Sequence, residues 1–181
     1  GVGLISKLSQ PIGHKFQAEK NNIILVGKTF GHLEQSCFLK ENYSINDGMA
    51  PEVNLLNEKN NGEGLLRLIE NNLILSSHDV SDGGLITALS EMVIKSKIGA
   101  KIYKPKKLTN LLKYFFGEDQ ARYVIEIENK NNSKVEKILK DNNIYYENIG
   151  FTQKEYFEID KELKISKNNL HKINNEWYNN Y

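Results

Sequence analysis

Short apolar runs alternate with amphipathic runs along most of the chain, and turn-forming residues separate them. The apolar runs predict buried strands at 21–28, 73–77 and 99–104. The stretch 122–128 repeats every two residues, as side chains on one face of a strand do, so it predicts a further strand. A last strand is predicted at 144–151.

Helices are predicted between these strands. The clearest one follows residue 84, where apolar residues fall at i, i+3, i+4, i+7 and i+8, the spacing of a helix face that packs on a sheet. These positions are Leu85, Ala88, Leu89, Met92 and Val93. Further helices are predicted at 31–42, 63–72 and 107–116, from Ser133 onward, and at 166–181.

Two details of these helices are specific enough to test. Ser133 and Glu136 have the S-x-x-E spacing of a capping box, in which both side chains bond backbone amides at a helix start. Leu170 and Trp177 share one face of the last helix, and Trp177 is expected to pack that helix onto the domain. Together the elements predict one α+β domain, a mixed sheet covered by helices, with a β-α-β unit at about 122–151.

Composition narrows the classes of function. The chain has 181 residues and a formal net charge of +1, and Arg67 and Arg122 are its two arginines. Specific nucleic-acid recognition relies on arginine forks and basic patches, so this composition argues against nucleic-acid binding. Cys37 is the single cysteine, which excludes an intrachain disulfide and fits a reducing cytoplasm. No apolar stretch is long enough to span a membrane. Because no methionine starts the chain, we expect it to be a piece of a longer protein.

The junction "SSHDVSDGGL", residues 76–85, carries more polar groups than a strand-to-helix turn needs. Unpaired amides at a helix start attract anions, and Gly83 and Gly84 let a ligand approach the backbone. Asp79, at the end of a strand, can bind Mg²⁺, which bridges carboxylates and phosphates. The alternative is purely structural: Ser81 or Asp82 caps the helix and the glycines allow close packing.

A second polar break lies between a predicted helix and the strand at 122–128. It contains Glu118, Asp119 and Gln120, a carboxylate pair beside an amide that can bind metal, ribose hydroxyls or an amide-bearing substrate. The alternative is a solvated loop with an ion pair between Glu118 and Arg122. Ligands in open sheets favour strand ends, so both polar segments are predicted to lie close together on one rim of the sheet.

Taken together, "SSHDVSDGGLITALSEM" and "FGEDQARYVI" resemble the carboxy-terminal part of the phosphoribosylformylglycinamidine synthase family (PurL type). The segments "ILVGKTFGHLEQS" and "APEVNLLNEKNNGEGLLRLI" are similar to that family in the same order, and the resemblance covers about 2–177. It implies that residues 1–19 are the end of a preceding domain or a linker, and that 20–181 form the carboxy-terminal domain. Glu34 departs from the family, where related sequences often carry glycine.

The resemblance implies an ATP-dependent carbon–nitrogen ligase of purine biosynthesis. Such an enzyme makes formylglycinamidine ribonucleotide from formylglycinamide ribonucleotide, ATP and glutamine-derived ammonia, with Mg²⁺ and ATP as cofactors of the full-length enzyme. The implied partners are the other domains of the same synthase, a glutamine amidotransferase subunit and a small bridging subunit, and the implied location is cytoplasmic. The family is internally duplicated, and this domain resembles the second copy, whose site is structural. The catalytic residues are therefore expected outside this chain, which would be inactive alone.

The resemblance also implies a set of site residues. The metal ligand would be Asp79, and the nucleotide- or substrate-like pocket would be formed by Asn54, Gly83, Gly84, Glu118, Asp119 and Gln120. Two alternatives stay open. One is a related ATP-using enzyme, of the aminoimidazole ribonucleotide synthetase or thiamine-monophosphate kinase type, although those relatives have different sequences at the two turns. The other is a purely structural module.

Overall fold

The computed structural model describes residues 11–106 and 110–179. Within these ranges the chain forms seven strands, six α-helices and one 3₁₀ turn. The strands are β1 (Asn22–Val26), β2 (Ser76–Asp79), β3 (Gly99–Ile102), β4 (Tyr123–Ile127), β5 (Tyr146–Gln153), β6 (Tyr156–Ile159) and β7 (Leu163–Ser166). The helices are α1 (Cys37–Tyr43), α2 (Leu55–Glu70), α3 (Gly84–Ser96), α4 (Leu111–Phe116), α5 (Asn132–Asp141) and α6 (Lys167–Asn179), and the 3₁₀ turn is Asn129–Asn131.

The strands form one mixed sheet in the order β2-β4-β1-β5-β3-β6-β7. Strands β3 and β6 pair in parallel, and the other described pairs are antiparallel. Strands β4 and β5 both run antiparallel to β1, which lies between them, so they are parallel to each other and joined by α5. The predicted α+β class and the β-α-β unit are therefore confirmed.

Both faces of the sheet centre are buried, and β1 shows why its sequence is a continuous apolar run. Ile23 and Leu25 belong to one core cluster, which includes residues of α3 and α4, whereas Ile24 and Val26 belong to the other, which includes residues of α2 and α5. A strand covered on both sides needs apolar residues at every position rather than at alternate ones. None of the helices in the described part of the chain has the length and apolar character that crossing a membrane would need.

Some element boundaries differ from the sequence prediction. The apolar run that begins at Leu73 is buried, but strand pairing begins only at Ser76, because Leu73 and Ile74 pack into the second core as the chain leaves α2. Strands β6 and β7 were not predicted. Residues 107–109 of the helix predicted at 107–116 lie outside the described residues, and α4 is described from Leu111.

The predicted capping box at Ser133 is wrong. Helix α5 begins at Asn132, one residue earlier, and no described side chain caps it. The preceding 3₁₀ turn already directs the chain into the helix through its own backbone bond from Asn131 N–H to Glu128 C=O (2.9 Å). Glu136 instead pairs with Lys140 one turn later, at 3.1 Å.

The last predicted helix is confirmed as α6, but its anchor is different. Trp177 is 68% exposed, so the expectation that it packs the helix onto the domain is wrong. Leu170, two turns earlier on the same helix, packs against the first core cluster instead.

A buried carboxylate attaches the segment before β1 to the sheet. Glu126 in β4 accepts hydrogen bonds from Gln17 N–H (2.8 Å), Asn21 Nδ2 (2.7 Å) and Ser76 Oγ (3.0 Å). Phe16 is part of the first core. The described residues before 20 thus pack on this domain, while the proposed boundary between 19 and 20 stays a prediction and residues 1–10 lie outside the described ranges.

Candidate functional site

The strand-to-helix junction is a tight backbone turn. Strand β2 ends at Asp79, and Gly83 precedes α3 with φ = +77°, followed by Gly84 with φ = +72°. A Cβ on Gly84 would lie 2.7 Å from Gly117 O, so only glycine fits this close approach. The N-cap residue is Gly83, which has no side chain, and among the described residues neither Ser81 nor Asp82 accepts a side-chain hydrogen bond from this helix start. The alternative in which Ser81 or Asp82 caps the helix is therefore wrong, whereas its close packing at the glycines is seen at Gly84.

The carboxylate of Glu118 joins the two polar segments. Its Oε1 accepts hydrogen bonds from Gly83 N–H at the start of α3 and from Cys37 N–H at the start of α1, both at 2.8 Å. A carboxylate at a helix start satisfies amides that have no partner within the helix. The predicted closeness of the two segments on one rim is confirmed by this contact.

Asp119 is buried, with 4% of its surface exposed, and it fixes the segment after β1. Its carboxylate accepts backbone N–H hydrogen bonds from Phe30 (3.0 Å), Gly31 (2.9 Å) and His32 (3.1 Å). The alternative of a solvated loop is therefore wrong. A loop can bury a carboxylate only when hydrogen bonds replace its water, and three amides do so here.

Arg122 also fixes the loop that contains Glu118 and Asp119. Its guanidinium is buried, donates to the carbonyls of Asp119 (Nε, 3.2 Å) and Gly117, and lies 3.8 Å from the Asp119 carboxylate. The expected partner was Glu118, but the structure pairs Arg122 with Asp119, one residue further on. Burial lowers the pKa of the guanidinium, and the neighbouring Asp119 opposes that shift.

Three of the predicted pocket residues line one cavity of about 310 Å³. They are Asn54, Asp119 and Gln120, and the wall also includes Phe30 and His32. The Asn54 side chain accepts from Asn57 N–H (3.0 Å) and so caps α2. Gln120 is exposed at this cavity, which gives the wall amide groups beside a buried carboxylate.

The other predicted pocket residues lie beside this cavity rather than on its wall. Glu118 accepts from Gly83 N–H at the helix start, Gly84 packs against the backbone of Gly117, and Glu118 is the neighbour in sequence of Asp119. The structure therefore brings the six residues to one rim but divides them between a cavity and a helix start.

Asp79 lies at the end of β2 with an exposed carboxylate. Its Oδ1 is 3.3 Å from Nδ1 of His78, and the other ring nitrogen of His78 lies 2.9 Å from Glu91. Asp79 pairs in register with Tyr123 of β4, the residue after Arg122. This pairing places Asp79 near the loop of Glu118 and Asp119, along the sheet edge. Its predicted role as a metal ligand stays a prediction.

Within the described ranges, the acidic and sulfur ligand atoms that come together are those of Cys37, Asp82 and Glu118, all within 4.8 Å of one another. This group does not fit Mg²⁺, which prefers oxygen ligands. One oxygen of Glu118 already accepts two amides, and burial, Glu118 and Asp82 raise the pKa of the Cys37 thiol, so it stays protonated.

Two structural roles were missed by sequence reasoning. Cys37 appeared only as a single cysteine, yet its amide is bound by Glu118. Glu34 accepts from Met49 N–H (2.7 Å) and its side chain lies against Gly48, so it holds the loop before α2. The sequence signal that could have indicated the turn held by Asp119 was the glycine at position 31, because glycine adopts a positive φ readily and the structure has φ = +80° there.

The sequence profile of the family "AIR synthase related protein, C-terminal domain" matches residues 19–159. The chain belongs to this family. Among curated members, the phosphoribosylformylglycinamidine synthase subunit PurL of Pelagibacter ubique is 42% identical over all 181 residues, and that of Rhodopseudomonas palustris (strain TIE-1) is 34% identical. The chain spans 25% of the length of these two relatives.

Solved structures of other proteins have the same fold as this chain. Thermotoga maritima PurL in complex with FGAR has a TM-score of 0.70 over 88% of this chain and 29% of that chain, at 17% identity. Thiamine-monophosphate kinase from Stenotrophomonas maltophilia has a TM-score of 0.56 over 84% of this chain and 54% of that chain, at 15% identity. At these identities the likeness establishes the fold alone.

Proposed function

We propose that this chain is the carboxy-terminal domain of a phosphoribosylformylglycinamidine synthase. The whole enzyme would convert formylglycinamide ribonucleotide, ATP and glutamine-derived ammonia to formylglycinamidine ribonucleotide in purine biosynthesis, in the cytoplasm. The observation that carries the proposal is the 42% identity to a PurL subunit over the full 181 residues. The kinase class is not favoured, because the curated relatives at 42% and 34% identity over the whole chain are both PurL subunits.

The proposed role of this domain is to support a site rather than to perform the chemistry. Both oxygens of Asp119 are already engaged by three backbone amides, and Glu118 bonds two more. These hydrogen bonds hold both carboxylates against the domain's own backbone, so we infer that the two side chains serve as structural acceptors rather than as a general base. The catalytic residues would therefore lie in other domains of the synthase.

The cavity beside Asp119 is the proposed binding surface of this domain. Asn54 and Gln120 offer amide groups there, which suit ribose hydroxyls or the polar edge of a nucleotide. At the adjacent helix start, Gly83 N–H is already bound by the Glu118 carboxylate, so this helix start supports the cavity wall rather than offering a free anion site. Asp79 would add one carboxylate oxygen to a Mg²⁺ whose other ligands come from nucleotide, water or other domains.

Cofactors and partners of the whole enzyme follow from the same proposal. They are ATP with Mg²⁺, the other domains of the synthase, a glutamine amidotransferase subunit and a small bridging subunit. Two solved structures with this fold, described as "T. maritima PurL complexed with ATP" and "Structure of PurLQS from Thermotoga maritima", support the ATP and the association with further subunits.

The test compares the full-length protein with residues 1–181 alone. Full-length protein is expected to hydrolyse ATP when formylglycinamide ribonucleotide and ammonia are supplied, and the isolated chain is expected to show no such activity. Turnover with thiamine monophosphate instead would contradict the proposed substrate. Activity of the isolated chain would contradict the placement of the catalytic residues elsewhere.

A substitution tests the metal role of Asp79 in the full-length protein. Asp79→Asn is expected to weaken Mg²⁺ or nucleotide retention while catalysis at the distant site is partly kept. Asparagine caps and hydrogen-bonds about as well as aspartate, so a structural role would leave retention unchanged. Asp141→Asn, at the end of α5, is the matched control with an exposed carboxylate. Equal retention in both variants would exclude Asp79 as a ligand.

A further inference from the structure

A second and larger cavity, of about 610 Å³, lies where β1 and β3 end and β5 begins. Small-molecule sites have volumes of about 300–1,000 Å³. The lining residues differ entirely from those of the Asp119 cavity; they are Lys28, Thr29, Tyr103, Lys104, Pro105, Lys106, Tyr114, Tyr145, Glu147, Asn148 and Ile149. Thr29 accepts from Arg122 (3.3 Å), so the segment after β1 separates the two cavities.

The cavity has an apolar, aromatic interior. Ile149 and Tyr114 are buried members of the first core cluster, so the floor is part of the packed domain. Tyr103 and Tyr145 are partly exposed at the opening, 42% and 36% respectively. Aromatic side chains with one exposed face are the groups on which flat rings stack.

Hydrogen bonds fix the carboxylate on the wall. Glu147 accepts from the Tyr114 hydroxyl (3.2 Å) and from the Tyr145 hydroxyl, one on each oxygen. The hydrogen bond that the Tyr145 hydroxyl donates to Glu147, with burial as the next cause, raises the pKa of Tyr145 to about 12. Both tyrosines therefore stay neutral, and the position of the Tyr145 ring is set by a partner within the domain.

The charge at the opening is positive. Lys28, Lys104 and Lys106 contribute three ammonium groups against the single carboxylate of Glu147. Lys104 also pairs with Glu162, whereas the Nζ of Lys28 lies 5.9 Å from the centre of the Tyr145 ring. The attraction between the ammonium group and the aromatic face places Lys28 at the opening, where an anion bound beside the tyrosine rings would meet it.

From this combination we infer that the cavity binds an aromatic anion of nucleoside-monophosphate type. The ring would stack on the tyrosines at the opening, and the phosphate would be bound by Lys28 and Lys106. The apolar floor would not bind the phosphate, and the cationic rim would not bind the ring, so the cavity suits a ligand that has both groups. The site is separate from the Asp119 cavity and does not depend on the proposed synthase function.

The test is photolabelling of the full-length protein with 8-azidoadenosine 5′-monophosphate, followed by mass spectrometry of the peptides. Label is expected in the segments 103–106 and 145–149. Adenosine monophosphate should compete with the label. Inorganic phosphate and adenosine each have half of the ligand and should compete at least about tenfold less well, since the loss of one charge-assisted contact lowers the affinity about that much. Equal competition by inorganic phosphate would overturn the aromatic part of the inference.

Two variants localise the label. Lys28→Glu and Asn148→Trp are expected to reduce labelling of these segments about tenfold or more, by charge reversal and by filling the opening. Both positions are exposed, so neither change removes core packing. Lys137→Glu, on the exposed side of α5, is the matched control and should label like the parent. Label confined to other segments, or unchanged in both variants, would overturn the site.

Discussion

The anchor formed by Asp119 makes a strong prediction, because one side chain there holds two distant parts of the chain. Asp119→Ala removes the acceptor for Phe30, Gly31 and His32 N–H, at 2.9–3.1 Å, and leaves Arg122 buried without its carboxylate. The segment after β1 then loses its only described side-chain acceptor for these amides. We expect a large loss in the free energy of unfolding.

The magnitude can be worked from these contacts. A hydrogen bond to a charged group contributes about 1.5–3 kcal/mol, so three would sum to about 4.5–9 kcal/mol if they were independent. They share one carboxylate, and Phe30 is 71% exposed, so water can replace part of the loss. The expected cost is therefore about 3–5 kcal/mol, the usual cost of breaking a buried charged pair. That is a large share of the roughly 5–15 kcal/mol that stabilises a domain.

Urea unfolding followed by circular dichroism measures this cost. With an m-value of about 1–3 kcal/mol per molar urea, the midpoint should fall by at least about 1 M. Gln120→Ala is the matched control, since it changes the exposed neighbour and should stay within about 0.5 kcal/mol of the parent. If Asp119→Ala also unfolded within that range, the carboxylate would not be an anchor and the account of this loop would be wrong.

Two further predictions concern a glycine turn and a tyrosine. Gly84→Ala should destabilise the domain by about 2 kcal/mol or more, because φ is +72° and the added Cβ would meet Gly117 O. The control is Gly62→Ala in α2, which has open space around it and should stabilise the domain by about 0.5–1 kcal/mol. Thermal unfolding compares the two variants, and equal effects would contradict the tight turn. Glu147→Gln should lower the pKa of Tyr145 from about 12 toward 10, as read by NMR titration. Because the pKa of Tyr145 is higher in the folded than in the unfolded state, the stabilisation from this hydrogen bond is complete below about pH 10 and is lost as pH rises through about 12. A Tyr145 pKa that the substitution left unchanged would contradict this hydrogen bond.

Local patterns in the chain determined the elements that depend on neighbours in sequence. The i, i+3, i+4 spacing after residue 84 predicted α3, and the two-residue period at 122–128 predicted β4, because each pattern reflects which face of one element is buried. The α+β class and the β-α-β unit followed from the order of these elements. Strands β6 and β7 were missed; β7 lies at the edge of the sheet and none of its residues is fully buried, so burial leaves no clear apolar run in its sequence.

The site shows the same division. The sequence alone identified both polar segments and predicted that they meet, because both lie where strands end. The partners within that site could not be read from it: Glu118 reaches Cys37 across 81 positions, and Asp119 reaches Phe30 across 89. Whether a carboxylate faces solvent, a metal or a row of amides depends on which distant backbone packs beside it, and no local pattern records that. The tertiary structure therefore decided that Asp119 is an anchor, that Glu118 binds two helix starts, and that Trp177 stays exposed.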